Sequence, residues 1–394
     1  MQAFLIALLP ASATSDARRL LVTRAARGFA DGVVSVLLAS WLQSLGFSPF
    51  QIGAIVTATL LGSAALTLGV GLLGHRLRRR AVLLSAAGLM VATGLGFAGV
   101  TSFWPLLVIA FVGTINPSAG DVTVFLPAEQ AVLADAIAPR DRTMIFAWHN
   151  LIGAVAGALG ALAAGLPPRA AFLVYAGLGL FAATQYKQLS PAAEAPEGEQ
   201  TGPLAKSRSV VLRLAAIFAI DSFAGGFIVQ SLLALWLFQR FGLAVETAGA
   251  FFFATGLLSA ASQFFSPRLA ARIGHVRTMV FTHLPSNFLL IAAGLMPTAP
   301  LCMFFLLLRS LLSQMDVPAR QAFVMAIVPR EERAAASSVT NVPRALAAAV
   351  SPLVAGALLE RTTFGWPLIA AGVLKSVYDL LLFAGFGSVK APEE

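Results

Sequence analysis

Apolar runs long enough to cross a bilayer follow one another along this chain, separated by short polar breaks. In lipid every backbone polar group must find a partner inside the protein, so such a chain folds as a bundle of membrane helices. Twelve spans are read, at 20–43, 50–73, 81–101, 104–137, 144–165, 168–186, 209–238, 245–266, 276–297, 300–328, 335–359 and 363–386. Apolar residues make up 58% of the chain and charged residues 11%, a balance foreign to soluble domains of this length. The fourth span is long for one crossing. Asn116-Pro117-Ser118-Ala119-Gly120 is expected to kink it, because proline removes a helix hydrogen bond and glycine weakens the turn.

The net charge of +9 would suit a nucleic-acid partner, but its distribution argues against one. Arg18, Arg19, Arg76, Arg78, Arg79, Arg80, Arg140, Arg142, Lys187, Lys206, Arg208, Arg213, Arg268, Arg272, Arg277, Arg330, Arg333 and Lys390 fall on one side of the twelve-span map. Only Arg169, Arg240 and Arg361 fall on the other. The basic side is expected to be cytoplasmic, with both termini inside and the chain multi-pass in a cell's inner membrane. Phe4 to Leu9 followed by Ala11-Ser12-Ala13 loosely resembles a signal peptide but lacks a basic start; an ordinary cytoplasmic lead is the expectation. The single cysteine, Cys302, rules out a disulfide framework, and the scattered histidines have no metal-ligand spacing. The polar stretch from Ser190 to Ser209 reads as a linker, giving an N-terminal six-helix bundle (1–188), a cytoplasmic linker (189–208) and a C-terminal six-helix bundle (209–394).

A pattern in the first bundle returns in the second. Asp121-Val122, Pro127-Ala128-Glu129-Gln130-Ala131, Pro139-Arg140-Asp141-Arg142 and Asn150 match Asp316-Val317, Pro318-Ala319-Arg320-Gln321-Ala322, Pro329-Arg330-Glu331-Glu332-Arg333 and Asn341. Proline and asparagine are equally spaced in both copies. Phe29-Ala30-Asp31-Gly32 matches Phe223-Ala224-Gly225-Gly226, and Trp41-Leu42 matches Trp236-Leu237, at a similar offset. A membrane chain of two similar halves in the same orientation is the signature of an alternating-access carrier.

On these residues the chain resembles the major facilitator superfamily, across nearly its full length. That family carries a Gly-x-x-x-Asp-Arg-x-Gly-Arg-Arg loop between its second and third helices. Here the place is taken by Gly71-Leu72-Leu73-Gly74-His75-Arg76-Leu77-Arg78-Arg79-Arg80, which keeps Gly71, Arg76, Arg79 and Arg80 but puts His75 at the acidic position. In the second half Arg272 and Gly274 survive, with Ala271 at the acidic position. Gly153, Gly157 and Gly160 loosely resemble the family's glycine-rich antiporter motif. The arginine of drug/proton antiporters has no counterpart near Thr114, whereas Arg309 stands in the tenth span. The resemblance implies a central cavity lined by helices one, four, seven and ten, a last helix outside that cavity, and a monomer.

A charge at bilayer depth costs about 2.5–3.5 kcal/mol on insertion scales, so each should face a partner or a wet cavity. Arg24, Arg27, Asp31, Asp121, Glu129, Asp221, Arg309, Asp316, Arg320, Arg344, Lys375 and Asp379 all lie there. Arg27 aligns with Asp221 and Glu129 with Arg320, opposite in sign. One expectation is a cytoplasmic gate of cross-half pairs, Arg27–Asp221 and Glu129–Arg320, formed in outward-facing states. The other is local satisfaction within each half, such as Arg27–Asp31 at helical spacing. Asp31, Asp121 and Asp316 are candidates to take and release protons as water access alternates. Capping or turn roles would explain them equally. Gln130, Gln321, Asn150 and Asn341 either bind substrate or join helices, the asparagines being expected to pack because small residues follow them. Lys375 and Asp379 are expected to pair on the last span. His149 and His283 could titrate but are expected to be hydrogen-bonded packing residues. The Pro-Arg-acid-Arg loops either latch the two halves or form plain salt-bridged turns.

The expected function is secondary active transport of a small solute, driven by protons and not by ATP, since no Gly-rich phosphate loop with lysine occurs. Export is favoured by the glycine motif and the aromatic content. Import or facilitated diffusion of a small organic solute, an organic acid included, is the alternative. A non-transporting receptor or scaffold of the same fold is a third class. No convergent catalytic set, and hence no enzyme, is expected. The expected partners are the substrate, protons and membrane lipid, without cofactor, metal or nucleic acid.

Overall fold

The computed structural model describes residues 13–73, 78–117, 123–137, 142–194, 206–263, 265–329 and 332–388. Among these the chain is helical without strands. The first half comprises α1 (Ser15–Ser44), α2 (Pro49–Leu73), α3 (Arg79–Gly99), α4 (Phe103–Val112), α5 (Phe125–Asp135), α6 (Arg142–Leu162) and α7 (Pro168–Lys187). The second comprises α8 (Arg208–Gly226), α9 (Gln230–Phe241), α10 (Val245–Gln263), the short α11 (Ser266–Ile273), α12 (His275–Leu295), α13 (Ala299–Ser310), α14 (Asp316–Ala326), α15 (Arg333–Arg361) and α16 (Trp366–Phe386). Nine described segments are long and apolar enough to span a bilayer, with α8 and α9 taken together as one. Three more crossings are made by α7 and by the broken pairs α4/α5 and α13/α14, so twelve crossings form two pseudo-symmetric bundles of six. Both described ends lie at one face of the bundle, called here the terminus face.

Three crossings are interrupted. Span four was expected to kink and instead stops at Val112 and resumes at Phe125; residues 118–122 lie outside the described residues. Span seven breaks at Phe227–Val229, just after Gly225-Gly226, and span ten at Leu311–Met315. Interrupted backbone inside a membrane survives only where its polar groups find protein partners. At the span-four break Tyr175 donates to the Thr114 carbonyl (2.9 Å), and the Thr114 N–H donates to Thr93 Oγ1 (3.3 Å). The Pro117 carbonyl accepts from the Ser231 N–H (3.2 Å), in the first turn of α9. A donor that its own helix cannot use is thus spent on the other half's broken helix. In α15, Pro352 has no N–H for the Ala348 carbonyl, and Ser351 Oγ donates to that carbonyl instead (3.2 Å).

Glycines set how closely helices cross. Gly28 and Gly32 of α1 face Gly153 and Gly157 of α6, a small-xxx-small pair on each helix. A Cβ at Gly28 would stand 2.7 Å from the Gly153 carbonyl oxygen. The glycines resembling an antiporter motif therefore serve the α1–α6 crossing. The halves meet chiefly through α2 with α15, α6 with α10 and α1 with α9. In the first contact a Cβ at Gly53 would lie 2.6 Å from the Pro352 carbonyl oxygen and 3.1 Å from Gly356 Cα. In the second, Gly249 faces Ala161 and Gly256 faces Ala158. Gly53, Pro352, Gly356, Ala161 and Gly249 belong to the parts of their helices nearer the face opposite the termini, where the bundles are closed on each other, and the Gly256–Ala158 contact lies at the cavity wall. Gly274 joins α11 to α12 at φ 87°, a left-handed conformation that accounts for glycine there.

Candidate functional site

Two buried charge clusters lie in the terminus-side part of the bundle, one in each half. In the first, α1 brings Arg27 and α5 brings Glu129, and the two form an ion pair. Tyr186 of α7 donates to Glu129 Oε1 (2.7 Å), and His149 Nε2 of α6 lies 3.3 Å from Oε2. The Arg27 guanidinium also stacks 4.0 Å over the Phe125 ring. All of these polar groups are buried. Several donors converge on one carboxylate, which is how a buried charge is held.

The second cluster has the signs reversed. Asp221 of α8 accepts from Arg320 of α14 at Oδ2 (3.3 Å) and from Lys375 of α16 at Oδ1 (2.6 Å). Arg320 also holds Asp316 one turn earlier (3.2 Å). His283 of α12 places Nδ1 3.1 Å from both oxygens of Asp379 and Nε2 3.8 Å from Asp221 Oδ1. Asn287 donates to Asp379 Oδ2 (2.8 Å). Arg344 of α15 donates to Ser222 Oγ and to Asn341 Oδ1, each at 3.1 Å.

In this arrangement Arg27, Glu129, Asp221 and Arg320 each take a partner inside their own half, whereas the gate pairs Arg27–Asp221 and Glu129–Arg320 were expected for outward-facing states. The halves close on each other toward the opposite face, while these four lie toward the terminus face. Dehydrated charges there must be satisfied locally. Lys375 pairs with Asp221 and not with Asp379, and Asp379 is held by His283 and Asn287. Each of the two histidines lies beside a buried carboxylate, His149 by Glu129 and His283 by Asp379. The sequence signal for this was present, since each histidine lies in an apolar run of a chain whose buried acids need donors.

Between the halves lies a cavity of about 410 Å³. Its charged lining consists of Arg24 and Asp31 of α1, Arg309 of α13 and Lys375 of α16. Asn150, Gln230, Gln263 and Gln314 add amides, and Phe251, Phe252 and Leu306 add apolar walls. The last crossing, expected outside the cavity, therefore reaches it through Lys375. Arg309 has no hydrogen-bond or ion-pair partner among the described residues, and its Nε is buried without one. Asp31 likewise has no such partner among the described residues, although Arg24 and Arg27 act on it through space.

Other expected positions fall elsewhere. Asp121 and Arg76 lie outside the described residues, and Gly71 lies in the last turn of α2. Arg140, Asp141, Arg330 and Glu331 of the paired loops are likewise outside them. Arg79 donates to Asp135 Oδ2 (2.6 Å) and Arg80 to the Lys187 carbonyl, so both tie helix ends at the terminus face within one half. Asp316 is engaged by Arg320. Gln130 and Gln321 are exposed and do not line the cavity. Asn150 lines it, against the expectation of packing. At the terminus face the second half's linker end is pinned by Glu332, which accepts from the N–H groups of Lys206 (2.7 Å) and Ser207 (3.0 Å).

Comparison with known proteins gives the same architecture. The profile of the Major Facilitator Superfamily matches residues 20–314 and 216–394. The uncharacterized membrane protein YJR124C of Saccharomyces cerevisiae is 26% identical over 412 residues, covering 91% of this chain and 91% of its own. Among solved structures, a mutant of the nucleoside transporter NupG superposes with a TM-score of 0.76 at 14% identity, over 94% of this chain and 100% of its own. A bacterial homolog of the human lysosomal transporter Spinster, inward-facing and unoccupied, gives 0.70 at 14% identity, over 94% and 96%. The human organic anion transporter MFSD10 gives 0.65 at 18% identity, over 94% and 100%.

Proposed function

This chain belongs to the major facilitator superfamily, a family of multi-pass membrane transporters of small solutes, and we propose that it carries a small organic anion together with protons. The observation that carries this reading is Arg309. A guanidinium in the apolar middle of a membrane bundle is expected to have a counter-charge. This one lines the cavity between the halves without a hydrogen-bonding or ion-pairing side chain among the described residues. Arg24 and Lys375 line the same cavity, against the single carboxylate of Asp31. An anion entering it meets the Arg309 guanidinium, whose field is little screened by water, beside the Lys375 ammonium that Asp221 holds. Asp31 is the described acidic candidate that faces the cavity. Asp316, held by Arg320, does not line it.

The protein is proposed to work as a monomer, with the terminus face cytoplasmic as the basic loops indicate. The described arrangement is then inward-facing: closed on the outside, with a cavity that reaches toward the cytoplasm as far as Gln263 at the end of α10. Net direction follows the anion and proton gradients. Export drew support from the glycine motif and the aromatic content, and those glycines have a packing role in the α1–α6 crossing.

The test is uptake into proteoliposomes of a labelled panel of small carboxylates and phosphates, beside neutral analogues and organic cations. Saturable uptake of one or more anions is expected, with a loss of about 30-fold or more in Arg309→Gln, the range for truncating one side of a buried charge pair. Arg309→Gln is expected to leave thermal stability unchanged or higher, because no described partner is orphaned. Equal carriage of neutral solutes by wild type and Arg309→Gln would sink the anion reading. Absence of any solute movement would favour a receptor or scaffold.

A further inference from the structure

Lys375 Nζ and His283 Nε2 face the same atom, Asp221 Oδ1, at 2.6 Å and 3.8 Å. Lys375 also lines the cavity. We infer that His283 is a proton-binding site whose occupancy is tied to the cavity through Lys375, the two acting as alternate cations on one carboxylate oxygen. The inference rests on the anion reading above and names the coupling site for it.

With the cavity empty, Lys375 occupies Oδ1, and a neutral His283 can donate its Nδ1 proton to Asp379 while the Nε2 lone pair faces Asp221. The surroundings of His283 fit this assignment. From α16 it meets Asp379, Lys375 and the Tyr378 ring, edge-on at 5.7 Å. From α8 it meets Asp221. On its own helix Asn287 fixes Asp379. Arg320 of α14 takes the other oxygen of Asp221 and is shared with Asp316. Arg309 of α13 acts on Asp221 and Asp316 through space. Arg344 of α15 is turned to Ser222 and Asn341.

An anion in the cavity draws the Lys375 ammonium off Oδ1. Asp221 then lacks one of its two cations in a low-dielectric site, where the loss is large. A proton arriving on His283 Nε2 replaces it: the imidazolium donates from Nδ1 to Asp379 and from Nε2 to Asp221. The charge brought by a monovalent anion is balanced by that proton, so both cross as a neutral set. The cluster of the first half has no such link. His149 sits on Glu129, but neither lines the cavity.

The experiment is isothermal titration calorimetry on the purified full chain in two buffers of different ionisation enthalpy. The probes are acetate, lactate, succinate and inorganic phosphate. At least one probe is expected to bind wild type with uptake of about one proton per anion. His283→Gln is expected to bind the same probe without proton uptake. Lys375→Gln should weaken binding by about tenfold or more, and Lys375→Arg should retain it. If His283→Gln does not purify as a single species, Asp221→Asn gives the same readout, since the shared oxygen no longer carries charge and uptake should vanish. Persistent uptake in His283→Gln, or wild-type binding without uptake, overturns the coupling site while the anion reading stands. Failure of every probe to bind wild type overturns the anion reading, and this inference with it.

Discussion

Glu129 is the residue on which the first half's charge cluster depends. It satisfies Arg27, Tyr186 and His149 at once in a fully buried place. Glu129→Gln leaves the Arg27 cation without its counter-charge, a change worth about 3–5 kcal/mol of destabilisation when a buried pair is broken. A clear fall in the thermal unfolding midpoint of the detergent-solubilised protein is expected. Arg27→Gln with Glu129→Gln should recover much of the loss, because an amide pair needs no desolvated charge. Charge exchange gives a sharper check. Arg27→Glu with Glu129→Arg should fold better than either single change, whereas Glu129→Arg with Arg320→Glu should give no rescue. Rescue by the second double variant would return the pairing to the cross-half gate. At this scale the sequence was half legible. It marked Arg27, Glu129, Asp221 and Arg320 as buried charges of opposed sign, because apolar flanks and the repeat do that. It did not select their partners, because aligned positions in two halves share a depth and not a contact. That Lys375 and His283 share Asp221 Oδ1 escaped for a related reason: only three-dimensional proximity relates them.

At the scale of helices, the twelve spans were legible to within a few residues, since bilayer thickness and basic loops punctuate the chain strongly. The breaks were less so. Span four declared itself through Asn116-Pro117, but span seven offered only Gly225-Gly226 and span ten only the polar run Ser313-Gln314, too weak to read as interruptions. What decides such breaks is whether a neighbour can satisfy freed backbone groups, as Tyr175, Thr93 and the Ser231 N–H do for span four. The α2–α15 crossing makes a prediction of its own. Gly53 and Gly356 let those helices touch across the two halves, and a side chain at Gly53 would enter the space of the Pro352 carbonyl. Gly53→Leu is expected to disfavour the state closed at that face by roughly 1–3 kcal/mol, the usual cost of overpacking. A cysteine replacing Leu233, in the cavity wall, should then react faster with an impermeant thiol reagent applied from the opposite face. Background reaction is low because the only native cysteine, Cys302, is buried. An unchanged labelling rate would mean that this crossing does not hold the face shut.

Across the whole molecule, the duplication told that two similar bundles would enclose a path, but not which face would be closed, since both faces are built from the same kinds of helix ends. In the structure the closed face is joined by glycine and alanine contacts, while buried charges are kept for the interiors of the two halves near the other face. Ionic partners bind locally, and small apolar crossings release cheaply, an arrangement suited to rocking of two rigid bundles. Rigid-body rocking requires the α6–α10 contact to part in each cycle. A Cβ at Gly256 would lie 3.1 Å from Ala158 Cβ, a few tenths of an ångström short of the 3.5–4.5 Å span of disulfides. Gly256→Cys with Ala158→Cys, in a Cys302→Ser background, is therefore expected to oxidise readily in the state described here. The oxidised protein should lose transport in proteoliposomes and regain it on reduction. Transport at the full rate by fully oxidised protein would show that the bundles do not separate at this contact, and substrate would have to pass by another route.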